Sequence, residues 1–257
     1  MKQKVQRWLK LVLAVMFWLG IYTVASVLLD RPLLLPPLTA VGTCLMQLLC
    51  SAAFWHTAAL TAGRVMLGIL GGCVFGILLG AAAAKSELCR ALLRPLIQLM
   101  KAAPVASFVL LLLLWLPRGA VPVLTAMLVV LPVVWTDVLD GLLHMDRQLL
   151  EVGKVFALSP GRVLRRILLP ALLPRFAAAC TPAFGMAWKA GVAAEVLAVP
   201  LWSIGRRLYE AKLYLETTEL FAWTAALLLL SAFMEKGLLF LLGYLGGGRK
   251  KQRASDA

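Results

Sequence analysis

Charged side chains are scarce in this sequence, and acidic ones are the scarcest. Only 15% of the 257 residues are Asp, Glu, Lys or Arg, where soluble domains have about 25%, and 62% are hydrophobic. The two histidines and five cysteines include no H-E-x-x-H and no C-x-x-C motif, which argues against a zinc or catalytic site built on them. The shortage of charge excludes an ordinary soluble domain and indicates an integral membrane protein.

Long apolar runs supply the membrane-crossing segments. A helix needs about 20 apolar residues to cross a bilayer core about 30 Å thick. Six runs meet this requirement, at 9–29, 58–84, 96–116, 119–140, 171–199 and 220–245. Runs such as "FVLLLLLW" are apolar on every face and lack the alternation of a β-barrel strand. The sequence therefore predicts an all-α membrane protein with about six transmembrane helices.

The 26 basic residues outnumber the 12 acidic ones, and they are concentrated in alternate connections between the runs. Basic clusters lie before the first run, between the second and third, between the fourth and fifth, and after the sixth. The positive-inside rule then predicts that both termini are cytoplasmic. Because the clusters match topology determinants beside anionic lipid, the net charge of +14 does not indicate nucleic acid.

This pattern predicts three regions. Residues 1–50 would hold the N-terminal tail, the first transmembrane helix and an extracytoplasmic segment. Residues 51–245 would form the main membrane domain, with a cytoplasmic loop at 148–170, and residues 246–257 a basic cytoplasmic tail.

A charged residue inside a predicted span is costly and commonly faces a cavity or another charge. Arg64 lies near the outer end of the second span, and Lys189 and Glu195 lie within the fifth. They are candidates for a translocation pathway. An alternative for Arg64 and Glu195 is a structural ion pair, or snorkelling toward the interface. The sequence leaves these alternatives open.

Small residues recur every four positions in the second span, at Gly68, Gly72, Gly76 and Gly80. This spacing places them on one helical face, where they allow close helix packing within the chain or between two copies. The stretch "GAAAAKS" at 80–86 lacks the glycine that precedes lysine in a phosphate-binding loop. Any use of ATP must therefore come from a partner.

The segment "EVGKVFALSPGRVLRRILLP" at 151–170 is a polar interruption between two apolar blocks. Ser159 is suited to cap a helix and Pro160 to occupy its first position. After this turn, apolar Val163 and Ile167 recur at helical spacing against Arg162 and its basic neighbours. The pattern predicts two short helices around a Ser-Pro turn. One alternative is a helix lying on the inner leaflet with its arginines on lipid phosphates.

The same segment resembles the cytoplasmic signature of permease subunits in binding-protein-dependent ABC importers. That signature runs Glu-Ala-Ala, three residues, Gly, nine residues, Ile, one residue, Leu-Pro. The matching or aligned positions are Glu151, Val152, Gly153, Ala157, Ile167, Leu169 and Pro170, with Ser159, Pro160 and Gly161 in the turn between them. Val152 and Gly153 stand in place of the two alanines, and Ala157 stands in place of the glycine.

The resemblance extends over about residues 35–245. "LPPLTAV", "TAGRVMLGILGGCVFGILLGAAAAKS", "RPLIQLMKAAPVASFVLLLLLWLPRG" and "WKAGVAAEVLAVPLWSIG" are similar to successive landmarks of nitrate/sulfonate/taurine-type permeases. The resemblance implies a type-1 ABC importer permease fold in the plasma or inner membrane of a prokaryote.

The resemblance also implies partners. A second permease copy would enclose the path, and an extracytoplasmic solute-binding protein would deliver the solute. ATPase subunits would bind ATP and Mg and dock on the 151–170 loop, so that this chain holds no cofactor. The implied solutes are small oxyanions, sulfonates or vitamin precursors.

Two other functional classes are also compatible with the sequence. A secondary transporter or channel without an ATPase would use groups such as Lys189 and Glu195 for ion coupling. A membrane-embedded enzyme is the third hypothesis.

Overall fold

The computed structural model describes residues 2–145, 156, 159–163, 165, 166 and 169–247, and among these it contains helices and no strand. In chain order the helices are α1 Lys2–Leu29, α2 Leu38–Cys50, α3 Ala52–Lys85, α4 Glu87–Ala102, α5 Val105–Trp115, α6 Val121–Leu143, α7 Pro160–Val163, α8 Leu169–Ala198, α9 Ile204–Leu213 and α10 Thr217–Gly247. The all-α expectation is confirmed.

Among the described residues, four helices are long and apolar enough to cross a membrane: α1, α3, α6 and α10. The count becomes five if the bent pair α4–α5 forms one span. The fifth predicted run corresponds to α8, which has 30 residues but carries Lys189 and Glu195 in its second half.

The prediction of one continuous span over 96–116 is wrong. Residues 87–102 and 105–115 form two helices that are bent by 107° relative to each other. Pro104 explains the break, because proline lacks an amide hydrogen and disfavours helical geometry at the residue before it. Ala103 accordingly has an extended backbone, with ψ at 136°.

Two helices outside the six predicted runs complete the bundle. The apolar α2 packs against α10 and α3, and α9 packs against α8 and α10. Serines define the starts of α3, α4 and α9. The Oγ atoms of Ser51, Ser86 and Ser203 accept hydrogen bonds from the amides of Phe54, Cys89 and Arg206, respectively.

The core lies where α3, α6 and α8 pack together, with Val65, Val130, Val134 and Phe184 among its buried side chains. The glycine series of α3 lies against α6 of the same chain. A Cβ on Gly68 would be 2.3 Å from the carbonyl oxygen of Val123, and one on Gly76 would be 2.8 Å from Cβ of Val134. The series is therefore an intrachain seam between α3 and α6.

Candidate functional site

Glu195 is buried near the end of α8, with no exposed surface. Its Oε1 accepts a hydrogen bond from Nη1 of Arg64, 3.1 Å away on α3, and the pair forms a salt bridge. Its Oε2 accepts from the hydroxyl of Thr61 at 2.9 Å and from the amide of Gly205 at 3.3 Å. The bonds to the carboxylate thus join α3 and the start of α9 to α8.

Arg64 also binds the chain that connects α8 to α9. Its Nη2 donates to the carbonyl oxygen of Leu201 at 2.8 Å, and its Nη1 donates to that of Trp202 at 3.1 Å. Val199 and Trp202 have φ angles of 49° and 51°, a backbone conformation that is unfavourable for residues with a side chain. The guanidinium, whose planar fork suits two acceptors, holds this strained turn in place.

The first turn of α9 is part of the same network. The amide of Ile204 donates to the hydroxyl of Thr61 at 3.0 Å, and the amide of Gly205 reaches Glu195. These are N-terminal amides that no earlier carbonyl of the helix can satisfy, and the helix dipole favours a carboxylate at this end. Glu195 therefore acts as an acceptor for α9 as well as an ion-pair partner.

This geometry corresponds to the structural ion pair, one of the alternatives left open for Arg64 and Glu195. Glu195 offers no surface to a solute, and the side chain of Arg64 is only 18% exposed. The role of the pair in the described conformation is to join α3, α8 and α9.

Lys189 lies apart from this network, although it is on the same helix. It is exposed, as are Met186 and Ala193 about one turn to either side, while its neighbour Trp188 is buried. Lys189 therefore belongs to the uncovered face of α8, which is the position that a pathway residue needs.

The described part of the 151–170 loop agrees with its predicted turn. A short helix begins at Pro160, and the amides of Arg162 and Val163 donate to the carbonyl oxygen of Ser159 at 2.8 and 3.0 Å. Gly161 lies within this helix, and Leu169 and Pro170 begin α8. Arg165 and Arg166 lie in a wider, π-helical turn between the two helices and are exposed.

The remaining loop residues of the signature are outside the described part of the chain. They are Glu151, Val152, Gly153, Ala157 and Ile167.

Sequence reasoning missed several residues of the site. Thr61 precedes Arg64 by three positions and so shares its helical face, a spacing that could have indicated the contact. Gly205 follows the capping Ser203, but nothing in the sequence pairs it with Glu195. Lys101, which lies within the predicted run 96–116, donates from Nζ to Oγ1 of Thr136 at 2.7 Å.

Comparison with known proteins gives a consistent assignment. Residues 72–245 match the family described as the binding-protein-dependent transport system inner membrane component. The taurine transport system permease protein TauC of Escherichia coli (strain K12) is 27% identical over 226 residues, which cover 84% of this chain and 81% of TauC. The putative aliphatic sulfonates transport permease protein SsuC of Bacillus subtilis (strain 168) is 27% identical, covering 72% of this chain and 67% of SsuC.

A solved structure has a similar fold. It is the MetNI methionine ABC transporter in inward-facing conformations, with a TM-score of 0.52 and 19% identity, covering 73% of this chain and 93% of the matched chain. The family match decides in favour of a transport subunit over a membrane-embedded enzyme or a transporter that works without an ATPase. The chain therefore belongs to the binding-protein-dependent transport system inner membrane component family and is a membrane-embedded permease subunit of an ABC importer.

Proposed function

We propose that this permease imports a small oxyanion of the sulfonate class and is driven by a separate ATPase that docks on residues 151–170. The observation that carries the ATPase part is the order of elements: the loop joins two long helices, α6 and α8, that pack against each other along the core. A displacement of the loop would be transmitted directly to α8, because helices are stiff and packed interfaces have few alternative arrangements.

The substrate class is inferred from the relatives and from charge. TauC is named for taurine and SsuC for aliphatic sulfonates, and both match most of this chain. The exposed Lys189 on α8 provides a positive charge of the sign that a sulfonate requires. Vitamin precursors, the other solutes that the resemblance implied, have no comparable support from these two names.

The proposed assembly contains two copies of this chain, two ATPase subunits that hold ATP and Mg, and an extracytoplasmic solute-binding protein. Each copy would cross the membrane six times, through α1, α3, the bent pair α4–α5, α6, α8 and α10. Both termini would be cytoplasmic, with 1–50, 51–245 and 246–257 as the three regions of the chain.

Co-purification with the ATPase encoded beside this chain tests the docking site. Charge reversal in Glu151→Lys and insertion of a carboxylate in Ala157→Asp are expected to reduce ATPase recovery at least tenfold. Lys212→Gln is the matched control, since Lys212 lies in the last turn of α9, on the side of the membrane predicted to be opposite. If both loop variants retain the ATPase as the control does, the docking role is wrong.

A further inference from the structure

The uncovered faces of α6 and α8 lie on the same side of the bundle, opposite α3. In α6, Val134 lies against Gly76 of α3, and Thr136 is two residues further on. In α8, Gly191 lies against Val65 of α3, and Lys189 is two residues earlier. Two residues correspond to a rotation of about 200° on a helix, so Thr136 and Lys189 both point away from α3. Since α6 and α8 pack side by side, the two faces adjoin.

Lys101 reaches this surface from α4. Its Nζ donates to Oγ1 of Thr136 at 2.7 Å, and the same hydroxyl donates to the carbonyl oxygen of Pro132 at 2.7 Å. The hydroxyl of Thr136 thus donates its proton to the carbonyl oxygen of Pro132 and accepts a hydrogen bond from the lysine through an oxygen lone pair. An ammonium has three donors, so two remain for another acceptor.

The short helix α5 follows the helix of Lys101 and packs against the helix of Lys189. Val109 of α5 packs against Val121 of α6 and against Ala194 and Ala198 of α8. Lys189 lies five residues before Ala194, about 7.5 Å along the helix axis at 1.5 Å per residue. Lys101 lies four residues before the start of α5, at the bend. Lys101 thus adjoins the start of α5, and Lys189 lies about one and a half turns along α8 from the residues that pack against Val109.

The two positive charges lack a carboxylate partner within the described part of the chain. Among those residues no carboxylate oxygen lies within 4.0 Å of either ammonium nitrogen. Asp140 is exposed on the same face of α6, one turn beyond Thr136, but forms no such pair. A cation on a membrane-spanning helix is costly unless water or an anion reaches it.

We propose that Lys101 and Lys189 form a binding site for a small oxyanion, such as a sulfonate, on the surface shared by α6 and α8. Thr136 is a positioning residue that holds the Lys101 ammonium toward this surface. The inference rests on the proposed function, in which the surface faces the path of an imported anion.

A charged thiol reagent can probe this surface without knowledge of the natural solute. The probe position is Ala193→Cys, exposed one turn from Lys189, in a chain whose five native cysteines are replaced by alanine or serine. The full permease–ATPase complex is reconstituted in lipid nanodiscs. Reaction rates are measured with anionic sulfonatoethyl methanethiosulfonate and with cationic trimethylammonioethyl methanethiosulfonate.

The ratio of the anionic to the cationic rate is expected to exceed that of free cysteine. It should fall about fivefold for each lysine in Lys101→Gln and Lys189→Gln, because one unit charge about 8 Å away in water changes the anionic and the cationic rate by about 2.3-fold each, in opposite directions. Lys101→Arg and Lys189→Arg keep the charge and should preserve the ratio. Lys236→Gln is the matched control, because it removes an exposed lysine of α10 and should leave the ratio unchanged.

Two results would overturn the site. One is a ratio that is insensitive to both lysines; the other is a cysteine at position 193 that reacts with neither reagent. A different result would contradict the proposed function: uptake would not depend on the ATPase, while the ratio of reaction rates would still depend on the two lysines.

Discussion

Arg64 and Glu195 are 131 residues apart in the sequence, and Nη1 of the first lies 3.1 Å from Oε1 of the second. The pair joins α3 to α8, and through the carbonyl oxygens of Leu201 and Trp202 it also fixes the turn that leads to α9. Trp202 in turn contacts the ring of His56 in an edge-on arrangement, with ring centroids 5.2 Å apart. The ion pair and this ring contact therefore hold the strained turn against α3.

Breaking this pair from one side is expected to destabilise the protein strongly. Arg64→Met leaves the buried Glu195 carboxylate without its cation, and removal of one partner of a buried pair costs about 3 to 5 kcal/mol. The double variant Arg64→Met/Glu195→Gln should recover part of this loss. Thermal unfolding in detergent provides the measurement, read as a double-mutant cycle. Equal losses in the single and double variants would contradict the ion-pair role.

Because α3 packs on α6 through its glycines, two glycine-to-alanine substitutions in α3 are expected to differ greatly in their effect on stability. Gly68→Ala places a methyl group 2.3 Å from the carbonyl oxygen of Val123, a backbone atom that can move only with α6. Overpacking of this kind costs about 1 to 3 kcal/mol. Gly63→Ala is the control, since nothing lies within 4 Å of its added Cβ, and it should be neutral or stabilising by up to about 1 kcal/mol. Comparable melting temperatures for the two variants would show that α6 does not pack this closely.

Gly205 lies in close contact with the backbone of α8. A Cβ there would lie 2.3 Å from Cβ of Glu195 and 2.5 Å from the backbone nitrogen of Val196. Gly205→Ala should therefore separate α9 from α8 and weaken the amide bond to the Glu195 carboxylate. The expected readout is faster proteolysis between residues 199 and 215, relative to Gly185→Ala, which has nothing within 4 Å of the added Cβ. Unchanged proteolysis in both variants would rule out this contact.

Glu216 lies outside the membrane-spanning segments, and its ionisation is expected to make the stability of the protein weakly dependent on pH. A hydrogen bond from its side chain to that of Glu219, with repulsion between the two carboxylates, raises the pKa of Glu216 above its usual value. A carboxyl whose pKa is higher in the folded state binds more protons when folded, so stability decreases as pH rises through that pKa. Glu219→Gln should remove this decrease while keeping the acceptor for Nε1 of Trp223, 2.9 Å away. Melting temperatures of both proteins from about pH 4 to 7 test this, and identical pH profiles would contradict it.

Some features could be predicted from sequence because they depend on local pattern. Apolar length places α1, α3, α6 and α10, and the Ser159–Pro160 pair places the start of α7, since capping and proline geometry involve only neighbouring residues. The same reasoning failed at residues 96–116, where hydropathy alone did not register the bend at Pro104. Hydropathy measures transfer into lipid and carries no information about helix direction.

The sequence by itself determined that this protein is an all-helical membrane permease, because composition, run length and motif spacing are properties of the chain alone. Only the tertiary structure decided which residues meet: Arg64 with Glu195 and Thr61, the glycines of α3 with α6, and Lys101 with Thr136. Such contacts join positions tens to more than a hundred residues apart. Each depends on the rotation and tilt of whole helices, which packing of the assembled bundle fixes.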